Sequence, residues 1–424
     1  MFWYHASTKH SYNSVRTNPN YLQWEEQPST YKNYPESYAR YKFDLNDIED
    51  NFLYHIAGLT AKKSYPSGER YLRVNPSAGA LYPNELYLQI RGVKGKDDGI
   101  YHYEVHSSSL TLLEGINDEE GLEPYFGYTT RMQGYLFLVS AIYYRSSWKY
   151  KNRAFRYCLL DAGHLLGCVE AAAVLVSKDV HMEYKIDREK LNCMFGFNQQ
   201  ELFLSGATMA VPVEGTHVNA IEFELPYVNG SRSFEKNELM LQAYQETMQL
   251  KECKSQTTSP IFTYEKAKLQ VTLFNRRSQR GFNESAITKG QFNYIMEMLS
   301  EPILSDCDEE VNVYVVVNRV INMPLGLYKD GHYISYGDFA KKAGYLSLEQ
   351  YTLSQQGAVA FFLTSSAKNY QALYQKAGII GHRLYVAAQY LEIGCSGIGA
   401  YYDDEVNEFV GNDGMVLYAL AIGK

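Results

Sequence analysis

The sequence predicts an α+β fold made of two related domains in tandem, and three observations carry this prediction. The chain has 424 residues, which favours two or three domains. Apolar, β-branched and aromatic runs of strand length alternate with long stretches of helical periodicity. The same order of segments also occurs twice along the chain. Two duplicated units that stay covalently joined are expected to pack as an intrachain pseudo-dimer.

The internal repeat is visible in three pairs of segments. "LYLQIRGVKGKDDGIYHYEVH" from Leu86 matches "VYVVVNRVINMPLGLYKDGHY" from Val313, and "QGYLFLVSA" matches "QGAVAFFLT" further on. "AGHLLGCVEAAAVL" from Ala162 then matches "AGIIGHRLYVAAQYL" from Ala377. The separation shortens steadily along the chain, as loop deletions between two homologous halves would make it. The repeat is too long for a solenoid and indicates a domain duplication.

Each half contains strand-like runs and one long helix-like stretch. The predicted strands are "ELYLQI", "YLFLVSAIYY", "VNVYVVV", "AVAFFL" and "MVLYALAI". Residues from Phe155 to about Val176 and from about Tyr370 to Glu392 are predicted helices with a stripe of small residues. A polar stretch with turn-forming residues at both ends separates the halves. The expected divisions are a leader segment at 1–35, a first domain at 36–228, a linker at 229–262 and a second domain at 263–424.

Composition excludes several classes of function. Hydrophobic residues make up 46% and charged residues 21% of the chain, and the net charge is −8. An acidic balance argues against nucleic acid as the partner, since phosphates require a basic face. No apolar run has the length of a membrane span, and the first residues do not have the pattern of a signal peptide. We therefore expect a cytoplasmic protein without a nucleic-acid or membrane partner.

The six cysteines and ten histidines give no metal site. The cysteines are scattered without a CxxC pair, and the histidines do not cluster at ligand spacing. This pattern is typical of reduced thiols in a cytoplasmic protein.

A first candidate binding segment precedes the strand "ELYLQI". In "VNPSAGALYPNEL" two prolines bracket four small residues, so the backbone is rigid and nearly bare. A large flat ligand could lie directly against it. We call Pro76, Ser77, Ala78 and Gly79 the small-residue segment.

Two further candidates occur only in the second half. In "FNRRSQRGF" the side chains of Arg276, Ser278 and Arg280 project to one side if the chain is extended, and two guanidinium groups with a hydroxyl suit a phosphate monoester. We call Arg276–Arg280 the basic segment; taken alone, a solvated basic patch is the simpler interpretation. "EIGCSGIGAYYDDE" predicts a loop after the long helix in which glycines let a ligand approach the backbone. We call Gly394, Cys395, Ser396 and Gly397 the glycine segment.

The candidate parts are complementary between the halves. The first half has no basic segment or glycine loop, and the second half has nothing resembling the small-residue segment. If the site lies between the halves, the chain has one complete site and one degenerate site.

These segments resemble the nitroreductase superfamily, whose members bind FMN at a dimer interface. "PSAGALYPNELYL" with "KYKNRAFRYCLLDAGHLL" is similar to the SagB-type branch, the azoline dehydrogenases, and the first 35 residues resemble the leader segments of that branch. These enzymes oxidise thiazoline or oxazoline rings in peptides. The resemblance implies nitroreductase-like domains, each with a central, mainly antiparallel sheet flanked by helices.

The resemblance also assigns roles to residues. The basic segment (Arg276, Arg277, Ser278 and Arg280) would bind the FMN phosphate and ribityl chain. The glycine segment would approach the flavin ring, and the small-residue segment would reach it from the other half. Lys149 and Tyr150 match a Lys-Tyr pair implicated in catalysis, although without the resemblance both fit a charged surface loop. Cys395 is explained more simply by a tight loop than by redox activity.

Three functions remain open at this stage. The first is SagB-like oxidation of a peptide-borne azoline or similar small group by hydride transfer to FMN. The second is NAD(P)H-dependent reduction of nitro, quinone or flavin substrates. The third is a flavin-free scaffold subunit in a peptide-modifying complex. The sequence identifies neither the substrate nor the electron donor or acceptor.

Overall fold

The computed structural model describes residues 2–17, 21–65 and 68–424. Backbone contacts divide the chain into two compact units. The N-terminal unit comprises Leu22–Ser259 and Ile303–Asp308, and the C-terminal unit comprises Met1–Tyr21, Pro260–Pro302 and Glu309–Lys424. The prediction of an α+β chain with two sheet-based domains is confirmed. The packing of the two as a pseudo-dimer stays a prediction.

Strands make up the centre of each unit. In chain order they are β1 (Arg40–Lys42), β2 (Leu59–Tyr65), β3 (Gly68–Arg73), β4 (Asn84–Arg91), β5 (Gly99–Glu104), β6 (Ser109–Gly115), β7 (Glu120–Gly121), β8 (Met132–Ala141), β9 (His181–Glu183), β10 (Leu202–Pro212), β11 (Asn219–Ala220), β12 (Ile287–Thr288), β13 (Asn312–Val317), β14 (Val320–Ile321), β15 (Gly326–Lys329), β16 (His332–Tyr336), β17 (Val359–Ser365), β18 (Gly394–Ile398) and β19 (Met415–Gly423).

The two main sheets have corresponding topologies. The strand order is β1-β6-β5-β4-β8-β10-β9 in the N-terminal unit and β16-β15-β13-β17-β19-β18 in the C-terminal unit. Every neighbouring pair in both sheets is antiparallel. The meander β4-β5-β6 corresponds to β13-β15-β16, the pair β8 and β10 corresponds to β17 and β19, and the edge strand β9 corresponds to β18. The first sheet has β1 as an additional edge strand. The sequence repeat is therefore also a repeat of topology.

Helices flank these sheets. In chain order they are α1 (Phe2–Ser7), α2 (Tyr12–Thr17), α3 (Ile48–Ala57), α4 (Tyr144–Tyr150), α5 (Ala154–Leu175), α6 (Arg188–Met194), α7 (Glu238–Glu246), α8 (Lys266–Asn275), α9 (Lys289–Ser300), α10 (Ala340–Leu346), α11 (Tyr370–Tyr390) and α12 (Asp403–Val410).

The long helices α5 and α11 are the central helices of their units. Helix α5 packs on β4, β8 and α3, and α11 packs on α8, α9, β18 and β19. Both agree with the predicted helices to within about two residues. By length and hydropathy alone the stretch 144–175 could cross a membrane, but 83% of its most apolar window is buried inside the protein. Such burial is typical of a core helix.

Residues 22–35, expected to belong to a leader segment, are anchored in the N-terminal unit by Lys32. Its amino group donates to Glu201 at 2.7 Å and to the Tyr87 hydroxyl at 2.6 Å, and all three side chains are buried. Burial lowers the pKa of Lys32, whereas the charge of Glu201 opposes this change. An ion pair of this kind joins residues far apart in the chain, so composition alone does not indicate it.

Part of the stretch expected to be a linker forms helix α7. Asn237 caps this helix by accepting from the Met240 amide. Tyr244 donates from its hydroxyl to the Phe203 carbonyl at 2.8 Å, which ties α7 to β10. Residues up to Ser259 thus belong to the N-terminal unit.

The expectation that all cysteines are reduced is wrong. Cys253 and Cys307 form a disulfide across a sequence separation of 54 residues, with their Cα atoms 5.3 Å apart. Cys158, Cys168, Cys193 and Cys395 are free thiols. The pairing could not be inferred from spacing, because it depends on the fold bringing residues 303–308 beside the chain around Cys253.

Candidate functional site

The small-residue segment lies between β3 and β4 in a strained turn. Gly79 has φ of 65°, and Ala80 and Tyr82 follow with φ of 54° and 45°. A left-handed conformation is easy for glycine but costs energy for residues that carry a β-carbon. Such strain persists only where the surrounding structure imposes it, and it concentrates at functional sites.

Asp161 of α5 holds the start of this turn. The Ser77 hydroxyl donates to Asp161 Oδ2 at 2.6 Å, and the Ala78 amide is 3.2 Å from both carboxyl oxygens. The Ser77 hydroxyl also accepts from the Tyr82 amide at 2.9 Å, which closes the turn on itself. Burial raises the pKa of Asp161 to about 7, and the two donors only partly oppose this.

Arg145 of α4 holds the end of the turn. Its guanidinium donates to the Tyr82 carbonyl at 3.0 Å and to the Glu85 carboxylate. Both charged side chains are buried. Burial opposes ionisation of Glu85, but Arg145 and His102 outweigh it and lower the pKa of Glu85 to about 2. The turn is therefore fixed by buried ionisable side chains at both ends, Asp161 at the start and Arg145 at the end.

Lys149 and Tyr150 meet the small-residue segment at Gly79. They are the last two residues of α4. A β-carbon on Gly79 would stand 2.7 Å from Tyr150 Oη and 3.1 Å from Lys149 Nζ. The structure thus brings together two groups that the sequence separates by about seventy residues. Their catalytic role stays a prediction.

An apolar cluster surrounds this meeting point. Leu81, Tyr144 and Trp148 are buried, and Leu22, Tyr150 and Phe234 pack against them. Trp24 meets Trp148 edge to face, with ring centroids 5.6 Å apart. Apolar side chains on this side lower the local dielectric and strengthen electrostatic effects at the polar groups of Lys149 and Tyr150.

The basic segment follows the end of α8 in the C-terminal unit. Arg276 is 3% exposed, and its guanidinium carbon lies 5.2 Å from the centroid of the Tyr385 ring. Arg277 is half-buried and donates to the Phe274 carbonyl at 2.9 Å. Ser278 is half-buried and Arg280 is exposed. The two arginines expected to act together thus lie in different environments.

Tyr385 of α11 is a site residue that sequence reasoning missed. Its hydroxyl is 2.8 Å from the Ser278 hydroxyl and accepts from the Gly397 amide at 2.6 Å. The Gln279 amide donates to the Cys395 carbonyl at 2.9 Å, so backbone and side chain both join the basic and glycine segments. Burial raises the pKa of Tyr385, and the phenol stays neutral. A tyrosine among the apolar residues of the long helix was the only sequence feature that pointed to it. Because the chain has 39 tyrosines, this feature did not stand out.

The prediction that the glycine segment is a loop is wrong. Gly394–Ile398 form strand β18, which pairs with β19 at the sheet edge and corresponds to β9 in the N-terminal unit. A β-carbon on Gly397 would collide with the Tyr418 hydroxyl, and one on Gly394 would stand 3.1 Å from the Gly423 carbonyl. These glycines are required by packing within the unit rather than by a left-handed turn.

Cys395 and Ser396 are the two buried polar side chains of the glycine segment. Cys395 is buried, and burial raises the pKa of its thiol, so the thiol is unreactive. The Ser396 hydroxyl is also buried but has no hydrogen-bond partner among the residues that the structure describes. A buried hydroxyl without a partner is costly, so it marks a place where a ligand atom would be stabilising.

The described residues include no group of three or more His, Cys, Asp or Glu side chains that could hold a metal ion. The basic segment and the glycine segment provide polar groups of the kind that bind an organic phosphate or a flavin. These are a buried guanidinium, hydroxyl groups and backbone amides beside glycine.

No family model matches this chain, but known proteins are similar to it. A crystal structure described as a nitroreductase from Anabaena variabilis has a TM-score of 0.82 and 25% identity, covering 100% of this chain and 99% of the other. A protein of Methanocaldococcus jannaschii named as a nitroreductase is 34% identical over 99 residues, which is 23% of this chain and 50% of that protein. The trifolitoxin-processing protein TfxB of Rhizobium leguminosarum is 26% identical over 140 residues, which is 31% of this chain and 36% of that protein.

These similarities establish the fold and the broad class of relatives. The chain has the nitroreductase fold over its whole length, and its relatives are nitroreductase-like oxidoreductases. The matched stretch spans about half of the Methanocaldococcus protein and about a third of the Rhizobium protein.

Proposed function

We propose that the chain is an FMN-dependent oxidoreductase that oxidises an azoline ring, or a similar small group, carried on a peptide. One observation carries this proposal more than any other. The polar ends of Lys149 and Tyr150 both reach Gly79 in the small-residue segment, at 3.1 and 2.7 Å from the position of a β-carbon. A lysine and a tyrosine in the charged surface loop that their local sequence suggests would not converge on a strained glycine.

The residues present fit FMN. In the C-terminal unit, buried Arg276 and the Ser278 hydroxyl supply donors for a phosphate, and buried Ser396 has a hydroxyl that lacks a partner among the described residues. In the N-terminal unit, Gly79 presents bare backbone, with the Tyr150 hydroxyl and the Lys149 amine beside it. The small-residue segment, the basic segment and the glycine segment are the residues that would hold the cofactor. When bound, FMN supplies a hydride acceptor.

Lys149 and Tyr150 handle the proton in this mechanism. Conversion of a thiazoline to a thiazole removes two hydrogens from the ring, one as a hydride and one as a proton. The Lys149 amino group lies 5.3 Å from the centroid of the Tyr150 ring, and a nearby cation favours loss of the phenol proton. With the phenol proton released to solvent, the Tyr150 phenolate would accept the proton from the ring carbon and return to the neutral phenol. Lys149 would stabilise the negative charge of the phenolate before this transfer.

The surroundings of the pair support this chemistry. Trp148, Leu81 and the residues packed against them exclude water from one side of Tyr150. Exclusion of water strengthens the effect of Lys149 on the phenol and protects a reactive ring from hydrolysis.

A peptide substrate is supported by two similarities. The Rhizobium relative is named for processing trifolitoxin. The small-residue segment and the stretch around Lys149 also resemble azoline dehydrogenases, which act on peptide-borne rings. Under this proposal the partners are a modified peptide and the subunits of a peptide-modifying complex, and the protein is cytoplasmic.

A second candidate is an NAD(P)H-dependent reductase of nitro, quinone or flavin substrates. The specific observation that favours it is that the Anabaena and Methanocaldococcus proteins are both described as nitroreductases. A reductase of this kind would use the same flavin but take its electrons from a nicotinamide donor. Lys149 and Tyr150 would have no necessary role in that reaction.

The two candidates are separated by one pair of assays on the FMN-loaded chain. A short peptide carrying one thiazoline is incubated with an artificial electron acceptor, and mass spectrometry follows the loss of two hydrogens. In parallel, NADPH is added without oxygen and bleaching of the flavin is recorded. We expect oxidation of the peptide and slow bleaching. Rapid bleaching with an unchanged peptide would establish the reductase instead.

Three variants identify the groups responsible. Tyr150→Phe and Lys149→Ala are each expected to lower the rate about 10²-fold, a usual loss when a proton-transfer group is removed. Lys178→Ala, which changes an exposed lysine of the same unit, is the matched control and should leave the rate unchanged.

A further inference from the structure

Asp161 is a buried carboxylate inside the central helix of the N-terminal unit. It is 4% exposed and lies in the second turn of α5, where neighbouring positions are apolar or small. A buried carboxyl group is costly unless it is hydrogen-bonded. Its hydrogen bonds go to the Ser77 hydroxyl and the Ala78 amide, both in the small-residue segment.

The small-residue segment, to which Asp161 is hydrogen-bonded, begins a strained turn. Gly79, Ala80 and Tyr82 all have positive φ within four residues. A turn of this kind relaxes unless both ends are fixed. Asp161 fixes the beginning, and Arg145 fixes the Tyr82 carbonyl at the end.

The geometry of the turn determines where Gly79 lies. Ser77 connects the two ends, because its hydroxyl donates to Asp161 and accepts from the Tyr82 amide. Gly79 lies between these anchor points, with Tyr150 Oη 2.7 Å and Lys149 Nζ 3.1 Å from the place where a β-carbon would stand. Movement of Ser77 would therefore move the surface that faces both candidate catalytic groups.

We propose that Asp161 is a positioning residue, which holds Ser77 and Ala78 so that Gly79 stays against Lys149 and Tyr150. This inference rests on the proposed function for its effect on the reaction. Asp161 contacts the turn and not the reacting groups, so its effect on the reaction is transmitted through the turn. Small displacements of a positioned group can lower a rate by up to about 10²-fold.

The test compares Asp161→Asn with Glu123→Gln in the FMN-loaded chain. Asparagine has the same shape but one acceptor oxygen, so it can satisfy only part of the pair formed by the Ser77 hydroxyl and Ala78 amide. Glu123 is a second buried carboxylate of the same unit, paired with Arg91 at 2.8 Å, and its change reports general loss of a buried charge. Two measurements are made: hydrogen exchange of the peptide spanning residues 76–83, and the steady-state kinetics of thiazoline-peptide oxidation, which give kcat and KM.

We expect Asp161→Asn to speed exchange in residues 76–83 at least tenfold, and to lower kcat about ten- to a hundredfold with KM changed less than about threefold. Glu123→Gln should change neither quantity at this segment. Unchanged exchange in Asp161→Asn would overturn the inference, and so would an equal fall of kcat in Glu123→Gln. If the wild-type chain does not oxidise the peptide but Asp161→Asn still loosens the segment, the positioning role stands and the proposed function fails.

Discussion

The Tyr150 hydroxyl lies 2.7 Å from the point where a β-carbon on Gly79 would stand. This relationship joins the end of α4 to a strained turn between β3 and β4, and both elements belong to the same compact unit. Glycine is needed at position 79 for two reasons. A side chain would crowd the Tyr150 hydroxyl, and the φ of 65° is unfavourable for any residue with a β-carbon.

Gly79→Ala is expected to lower the oxidation rate at least tenfold and to destabilise the fold by about 1–3 kcal/mol. The new methyl group would displace the Tyr150 hydroxyl and the Lys149 amine. Gly95→Ala is the matched control, because Gly95 has φ of 78° but nothing within 4 Å of its β-carbon position. Steady-state kinetics and denaturant unfolding of both variants separate strain from crowding. Equal rates in the two variants would show that crowding at Tyr150 is irrelevant.

Tyr385→Phe is expected to weaken FMN binding about five- to tenfold. The phenylalanine lacks the hydroxyl that bonds Ser278 and the Gly397 amide, and a neutral hydrogen bond contributes about 1 kcal/mol. Fluorescence titration of the apoprotein with FMN measures the change. Tyr328→Phe, which removes a hydroxyl that donates to the Pro324 carbonyl in the same unit, serves as the control. Equal affinity in wild type and Tyr385→Phe would exclude Tyr385 from the binding site.

Stability is expected to depend on pH through Asp161. Its folded-state pKa is about 7, against an ordinary value of 3.8, so the folded protein holds an extra proton between these values. Protonated Asp161 therefore contributes fully to the free energy of unfolding below about pH 4. This contribution, on the order of 4 kcal/mol in total, is lost as the pH rises to 7. Asp161→Asn cannot titrate. The difference in the free energy of unfolding between wild type and Asp161→Asn should fall from pH 4.5 to 7 and then level off; parallel curves would contradict the assignment.

Four thiols should react in the denatured protein without reductant, and six after reduction. Replacing both Cys253 and Cys307 by serine should lower the free energy of unfolding by about 2–4 kcal/mol, since the disulfide closes a loop of 54 residues. Cys193→Ser, at an exposed free thiol of the same unit, is the control. Six reactive thiols before reduction would show that the disulfide does not form.

The sequence predicted those parts of the fold that periodicity encodes. The long helices and the strands at Asn84–Arg91 and Val359–Ser365 are where apolar patterns placed them. The run "YLFLVSAIYY" was less informative because it is apolar throughout; its strand ends at Ala141, and a helix already begins at Tyr144. No local pattern marks such a boundary.

The segments of the candidate site were predictable from the sequence, but the strand pairing and the hydrogen bonds that join them were not. Glycines in "GCSG" suggested a loop, whereas cross-strand pairing makes them a sheet edge. Asp161 and Tyr385 are helix residues that bind Ser77 and Ser278, each more than 80 positions away, so only the tertiary fold gives them a role. Their signal was chemical: a carboxylate and a phenol placed among small and apolar helix neighbours.

The most direct test of the central claim is the flavin content of the purified chain. After incubation with FMN and removal of unbound cofactor, the absorbance spectrum and protein concentration give the number of FMN molecules per chain. We expect a yellow protein with a flavin spectrum and one FMN per chain. A preparation that stays colourless in added FMN would contradict the proposal that the chain binds FMN.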